Sequence, residues 1–211
     1  HRILYPRVRV AGAPIELINH NAVADSLTGF SRFPHLSAEE YFQQFWFEAD
    51  YTQAETIILS AEHFFGGEPR AWDVESEAEY FRLYGKKVSE LANYLHGHEI
   101  EIILYLRPQV DWLESAINQT IRVSRLISKE RTYVDDRQFF NVMKPVLRYG
   151  TILNIWEREL APATIRVIPY QRDALIQQSA IDDFLTRCGL KQLDLPYGHS
   201  ALEVNSSFTR E

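Results

Sequence analysis

Ile100-Glu101-Ile102-Ile103-Leu104-Tyr105-Leu106-Arg107-Pro108-Gln109-Val110-Asp111-Trp112-Leu113-Glu114-Ser115 contains a complete passage from strand to helix. Its first seven residues are rich in Ile and Leu, as expected of a buried or half-buried strand. Pro108 then takes the first helical position, where a missing N–H costs nothing. From Val110 to Ile127 the apolar residues Leu113, Ala116, Ile117 and Ile121 fall on one stripe, the period of an amphipathic helix. Working outward, two further runs read as strands, Thr56 to Ser60 and Thr164 to Tyr170. Helical spacing fills the segments between them, Glu75 to Leu95 and Gln138 to Leu160. Ser37 N-caps a helix over Ala38 to Phe47, and Gly189 takes the C′ position after a helix over Ala180 to Arg187. The predicted order is α-β-α-β-α-α-β-α.

Crossovers of this length join parallel strands. The pattern therefore predicts an α/β fold, a parallel sheet flanked by helices on both faces, with ligands outside the carboxyl ends of the strands. The residues just past each strand are then the candidates for chemistry: Glu62 and His63 after the first, Arg107 after the second, Tyr170 with Arg172 at the third. Arg107 and Ser115 lie eight positions apart across a helix start. Guanidinium and hydroxyl can both reach an anion there, the first as a bidentate fork and the helix terminus adding a favourable field.

Composition narrows the classes of function. The 211 residues are 45% hydrophobic and 24% charged, an ordinary globular balance that excludes collagen, coiled coil and disorder. At this length roughly 70% of the unfolded surface is buried on folding, enough for one core, and the simplest account is a single domain over residues 1–211. A lone Cys188 excludes a disulfide framework. The net charge of -7 supplies no global basic field for nucleic acid or an anionic membrane, so an anionic ligand must be held locally. Apolar runs fall far short of the roughly 20 residues of a membrane span, and no signal segment opens the chain. A cytoplasmic location is the expectation. The opening at His1 and the close at Glu211 read as the ends of a fragment. His96-Gly97-His98 lacks a third ligand, and no metal is assigned. The aromatic helix residues Tyr41, Phe42, Phe45, Trp46 and Phe47 read mainly as core.

Several segments, in order, resemble the sulfotransferases that use 3′-phosphoadenosine 5′-phosphosulfate, in particular bacterial proteins of that family. They are Ile57-Ile58-Leu59-Ser60-Ala61-Glu62-His63, Tyr105-Leu106-Arg107-Pro108-Gln109 with Ser115, Trp156 followed by Ile165-Arg166-Val167-Ile168-Pro169-Tyr170, and Ala180-Ile181-Asp182-Asp183-Phe184-Leu185 leading to Cys188-Gly189-Leu190. The likeness covers most of the chain. It implies a three-layer, P-loop-NTPase-like parallel sheet flanked by helices. It also implies transfer of a sulfuryl group to a hydroxyl of a saccharide or other small polar acceptor, without a metal. By the same resemblance Arg107 and Ser115 hold the donor's 3′-phosphate and Tyr170 packs near the adenine. Ser207 and Phe208 resemble a later segment that closes over the nucleotide.

The family's base, a His or Glu, follows the strand before the arginine segment, where Glu62 stands as the first choice with His63 beside it. His20, in Ile18-Asn19-His20-Asn21, is a further candidate, since it follows Tyr5-Pro6 as a family histidine segment does. The family's Lys-containing, Gly-rich loop for the 5′-phosphosulfate has no counterpart here. Gly66-Gly67 lacks a neighbouring Lys, and the expectation is that the loop precedes His1. Two alternatives stay open on the residues alone: a non-catalytic nucleotide-binding or interaction module of the same fold, and a P-loop kinase-like phosphotransferase.

Overall fold

A computed structural model describes residues 2–9, 16–17, 20–29, 37–66, 74–127 and 136–190. In chain order the elements are β1 (Ile3–Leu4), β2 (Val8–Arg9), β3 (Glu16–Leu17), α1 (Asn21–Ser26), α2 (Ala38–Thr52), β4 (Thr56–Ile57), α3 (Glu62–Phe65), α4 (Glu77–Tyr94), β5 (Glu101–Leu106), α5 (Gln109–Ile127), α6 (Asp136–Met143), α7 (Tyr149–Glu159), β6 (Thr164–Pro169) and α8 (Ala180–Arg187). Helix and strand are mixed, as expected of an α/β chain. The described residues fall into two compact units, the first drawn from His1–Ile100 and Val142–Ala163, the second from Glu101–Asn141 and Thr164–Glu211.

In the first unit β1 pairs in parallel with β4, Ile3 opposite Thr56 and Leu4 opposite Ile57, while β2 and β3 form a short antiparallel pair. The strand expected over Thr56 to Ser60 keeps ladder pairing only at its start. The Ile58 N–H still donates to the Leu4 carbonyl, but Ser60 gives its N–H to the His20 side chain and its carbonyl accepts from the His20 N–H. A side chain thus replaces the next strand partner. The core of this unit is aromatic: Tyr41, Phe42, Phe45, Tyr80 and Tyr84 are buried with Val23, Val88 and Ile152. Tyr84 on α4 accepts from Trp156 Nε1 on α7 at 2.8 Å and donates to the Phe65 carbonyl at 2.9 Å, so its hydroxyl is satisfied inside the core.

Caps follow local rules. Ser37 and Glu40 form a capping box at the start of α2, and Ser76 accepts from the Glu79 N–H at the start of α4. The single helix expected from Gln138 to Leu160 is two helices, α6 and α7, separated by a turn at 144–147. Pro145 is the reason, since it has no N–H to give and its ring clashes with the carbonyl four residues back. Val146 and Leu147 instead donate to Met143 and Lys144.

In the second unit β5 and β6 pair in parallel along their whole length, from Glu101 opposite Thr164 to Leu106 opposite Pro169. This is the pairing that a helical crossover imposes. Among the described residues parallel pairing is confined to the two-stranded sheets β1–β4 and β5–β6. Asp183 on α8 is buried and ties the unit together. It accepts from Tyr105 Oη of β5 at 2.9 Å, from the Ile176 N–H at 3.0 Å and from both sides of the Arg187 guanidinium, at 2.5 and 3.1 Å. The Arg187 contact and these donors hold its carboxyl down at about 2, below the usual 3.8. Gly189 follows α8 at φ +69°, the left-handed conformation that ends a helix without a Cβ penalty.

Candidate functional site

The carboxyl end of the β5–β6 pair brings three of the expected residues together. Leu106 and Pro169 are the last paired residues, and one more bond beyond them, Tyr170 N–H to the Leu106 carbonyl at 2.8 Å, fixes where Tyr170 leaves the sheet. Tyr105 meets the Tyr170 ring edge-on, with centroids 6.4 Å apart. Arg107 is the first residue past β5 and is exposed. Its guanidinium carbon lies 5.1 Å from the Tyr170 ring centroid, within the range of a cation–π contact. Its Nη1 donates to Ser115 Oγ at 3.3 Å.

The helix explains that last contact. Pro108 accepts the first turn's bond from Trp112 at 2.9 Å, and Ser115 follows on α5 close to two helical turns later, on the same face of the helix as Pro108. A guanidinium with five donors gives one of them to Ser115, against one face of an aromatic ring. Such a group is oriented yet keeps donors for an anion. Ser207 and Phe208, expected to close over a nucleotide, lie outside the described residues.

The residues expected to act as base belong to the first unit, and the three differ sharply. Glu62 opens the four-residue helix α3 and is exposed. Its carboxylate has no partner among the described residues.

His20 is buried, with 1% of its surface exposed. Its Nδ1 accepts from the Ser60 N–H at 2.9 Å and its Nε2 donates to the Pro6 carbonyl at 2.9 Å, so the ring joins the segments that follow β1 and β4. Burial pulls its pKa below the usual 6.5 and keeps it neutral, with both nitrogens occupied. A base needs a lone pair facing its substrate. In this structure both His20 nitrogens are engaged, and the ring is a tie between strand ends, packed between Tyr5 and Phe45 rings at 4.8 and 5.5 Å.

His63, the second residue of α3, is held at three points. Its N–H donates to Asn21 Oδ1 at 3.2 Å, its carbonyl accepts from Lys87 Nζ, and its ring Nδ1 lies 2.8 Å from Asp25 Oδ1. Lys87 is buried and also donates to the Gly66 carbonyl at 2.9 Å, closing the carboxyl end of α3 from beneath. Asp25 is 1% exposed, whereas the His63 side chain retains 20% of its exposure.

Neither Asp25 nor Lys87 stands out in the sequence. Asp25 sits in Ala22-Val23-Ala24-Asp25, where an acid within an apolar turn is the only hint. Among the described residues no group of three or more His, Cys, Asp or Glu is placed to hold a metal ion, and no helix is long and apolar enough to cross a membrane.

No protein-family model matches the chain, and neither a curated protein nor a solved structure matches it significantly.

Proposed function

We propose that the chain is a sulfotransferase-like α/β domain, with the three-layer P-loop-like sheet of that family. It would use 3′-phosphoadenosine 5′-phosphosulfate to sulfate a hydroxyl on a saccharide or other small polar acceptor. The observation that carries this reading is the meeting of Arg107, Ser115 and Tyr170 at the carboxyl end of the β5–β6 pair. An exposed guanidinium beside a hydroxyl and an aromatic ring suits a phosphate attached to a nucleoside: the fork takes the phosphate and the ring offers apolar contact to the base. In the proposed reaction the acceptor oxygen bonds to sulfur as the bond from sulfur to the 5′-phosphate oxygen breaks. Adenosine 3′,5′-bisphosphate leaves with that electron pair, and the acceptor's proton passes to a base. Glu62 and His63 are the proposed bases. The leaving phosphate also requires positive groups at the 5′ side.

Calorimetric titration with adenosine 3′,5′-bisphosphate, beside adenosine 5′-monophosphate, tests the donor site. A charge-assisted pair is worth about 1.5–3 kcal/mol, so the bisphosphate should bind about 10- to 100-fold more tightly. Arg107→Ala should abolish that preference. Equal binding of the two nucleotides by the unaltered chain would sink the assignment and favour a non-catalytic module.

A further inference from the structure

The three contacts that fix His63 have a chemical consequence beyond holding α3 in place. An ionised carboxylate can only accept hydrogen bonds. With Asp25 Oδ1 at 2.8 Å, the proton of neutral His63 therefore sits on Nδ1, and the lone pair is left on Nε2. No hydrogen bond to Nε2 is made by any described residue, and the side chain is 20% exposed. The backbone on both sides of the ring is pinned as well, by Asn21 at the N–H and by Lys87 at the carbonyl. Ring and lone pair are thus pre-aimed, which is what a proton acceptor requires.

His20 shows the opposite arrangement in the same unit: buried, with an N–H donor on one nitrogen and a carbonyl acceptor on the other. Glu62 is exposed, and no described residue orients its carboxylate.

We propose that Asp25 is a positioning residue for His63, and that the pair forms a proton-accepting dyad whose Nε2 takes the proton of an incoming hydroxyl. The carboxylate holds the imidazole in one tautomer before the proton arrives and faces the imidazolium afterwards. The dyad stands on its own geometry, while the sulfuryl acceptor that it would deprotonate rests on the function proposed above. If both hold, His63 and not Glu62 is the base.

Nitrogen-15 NMR of the whole chain, labelled at histidine, reads the tautomer directly at a pH above the usual imidazole range. The expected result is a protonated Nδ1 and an unprotonated Nε2 for His63. Asp25→Leu removes the acceptor while filling the buried space, and should return His63 to a mixture in which Nε2 carries the proton. A merely structural aspartate would leave the tautomer unchanged. Should that variant fail to fold, the unaltered chain still decides through its reaction with diethyl pyrocarbonate, mapped by mass spectrometry. The Nε2 lone pair should make His63 react at least ten times faster than the enclosed His20. A protonated Nε2 in the unaltered chain, or a His63 no more reactive than His20, overturns the dyad. Titration of His63→Gln with adenosine 3′,5′-bisphosphate separates the two claims. Unchanged nucleotide binding with a failed dyad removes only the base, whereas a sound dyad in a chain that ignores the nucleotide removes only the sulfotransferase reading.

Discussion

The groups gathered past β4 and those gathered past β5 and β6 are held by different means. Past β4, His20, Asp25 and Lys87 are buried; the backbone satisfies His20, through the Ser60 N–H and the Pro6 carbonyl, and Lys87, through the His63 and Gly66 carbonyls, while Asp25 Oδ1 faces the His63 ring. Past β5 and β6, Arg107 is exposed and Tyr170 keeps 39% of its surface, with side-chain contacts of 3.3 and 5.1 Å orienting the guanidinium. The first arrangement is built into folding and the second rests on top of it. Buried polar groups cost free energy unless partnered, so changing them disturbs the unit, whereas an exposed cation can be removed with little effect on stability. Chemistry and stability should therefore separate cleanly in the second unit and only partly in the first.

The largest expected effect tests how firmly the first arrangement is anchored. Phe45 is 1% exposed and supports the His20 ring edge-on at 5.5 Å. Phe45→Ala should cost about 3–5 kcal/mol in urea unfolding, the range for deleting a buried aromatic. It should also loosen the amide of Ser60 to hydrogen exchange, because the ring that receives that N–H loses its support. Next comes Asp183, the buried acid of the second unit. Asp183→Ala strands Arg187, Tyr105 Oη and the Ile176 N–H together and should cost about 2–3 kcal/mol, read as lost exchange protection along α8. A cost below half a kcal/mol would mean that water replaces all three donors' partner.

What the sequence made legible was local. The strand through Leu106, the Ser37 cap and the Gly189 stop each depend on neighbours within a few positions, and each forms where those neighbours place it. The convergence of Arg107 with Ser115 was also readable, because eight residues across a helix start have few geometries. The Pro145 break went unread, although a residue with no N–H to donate stands in the middle of the segment taken as one helix. What stayed hidden was nonlocal. Asp25 and His63 are 38 positions apart, His20 and Ser60 are 40 apart, and Tyr105 and Asp183 are 78 apart. No periodicity encodes such pairs, since each is fixed by the packing of helices whose own patterns are satisfied without them. For the same reason His20 reads as a free histidine at a helix start until its partners are seen.

The pH response should sharpen the contrast between the units. Burial lowers the His20 pKa, so near and below the usual 6.5 the unfolded chain binds the proton that the folded chain refuses. The contribution of His20 to stability is thus full above that range and falls as the pH drops from about 6.5 toward the lowered folded value. Asp183 behaves as a depressed carboxyl: its contribution is present above 3.8 and is lost as the pH falls through about 2. Segment-resolved hydrogen exchange on acidification should show α1 and the 58–60 segment losing protection first, and α8 holding until the more acidic window. His20→Gln should flatten the first response at a cost of about 1–2 kcal/mol, the range for a pair of neutral hydrogen bonds. A chain whose two units soften in the same pH window would break the contrast.

The smallest expected effect on stability is the most pointed. Arg107 donates to Ser115 at 3.3 Å and lies over Tyr170 at 5.1 Å, and both contacts are made in water. Exposed contacts of this kind are worth about 0.5–1 kcal/mol at most, and an arginine side chain loses rotamer freedom in making them. Arg107→Ala and Ser115→Ala should each shift unfolding by no more than about 0.5 kcal/mol. An arginine that contributes nothing to the fold, yet is oriented by a hydroxyl and a ring at the end of a parallel strand pair, is free to serve a ligand. If Arg107→Ala instead costs 2 kcal/mol or more, as the buried groups do, the guanidinium is a structural part of the second unit, and the anion site proposed there loses its warrant.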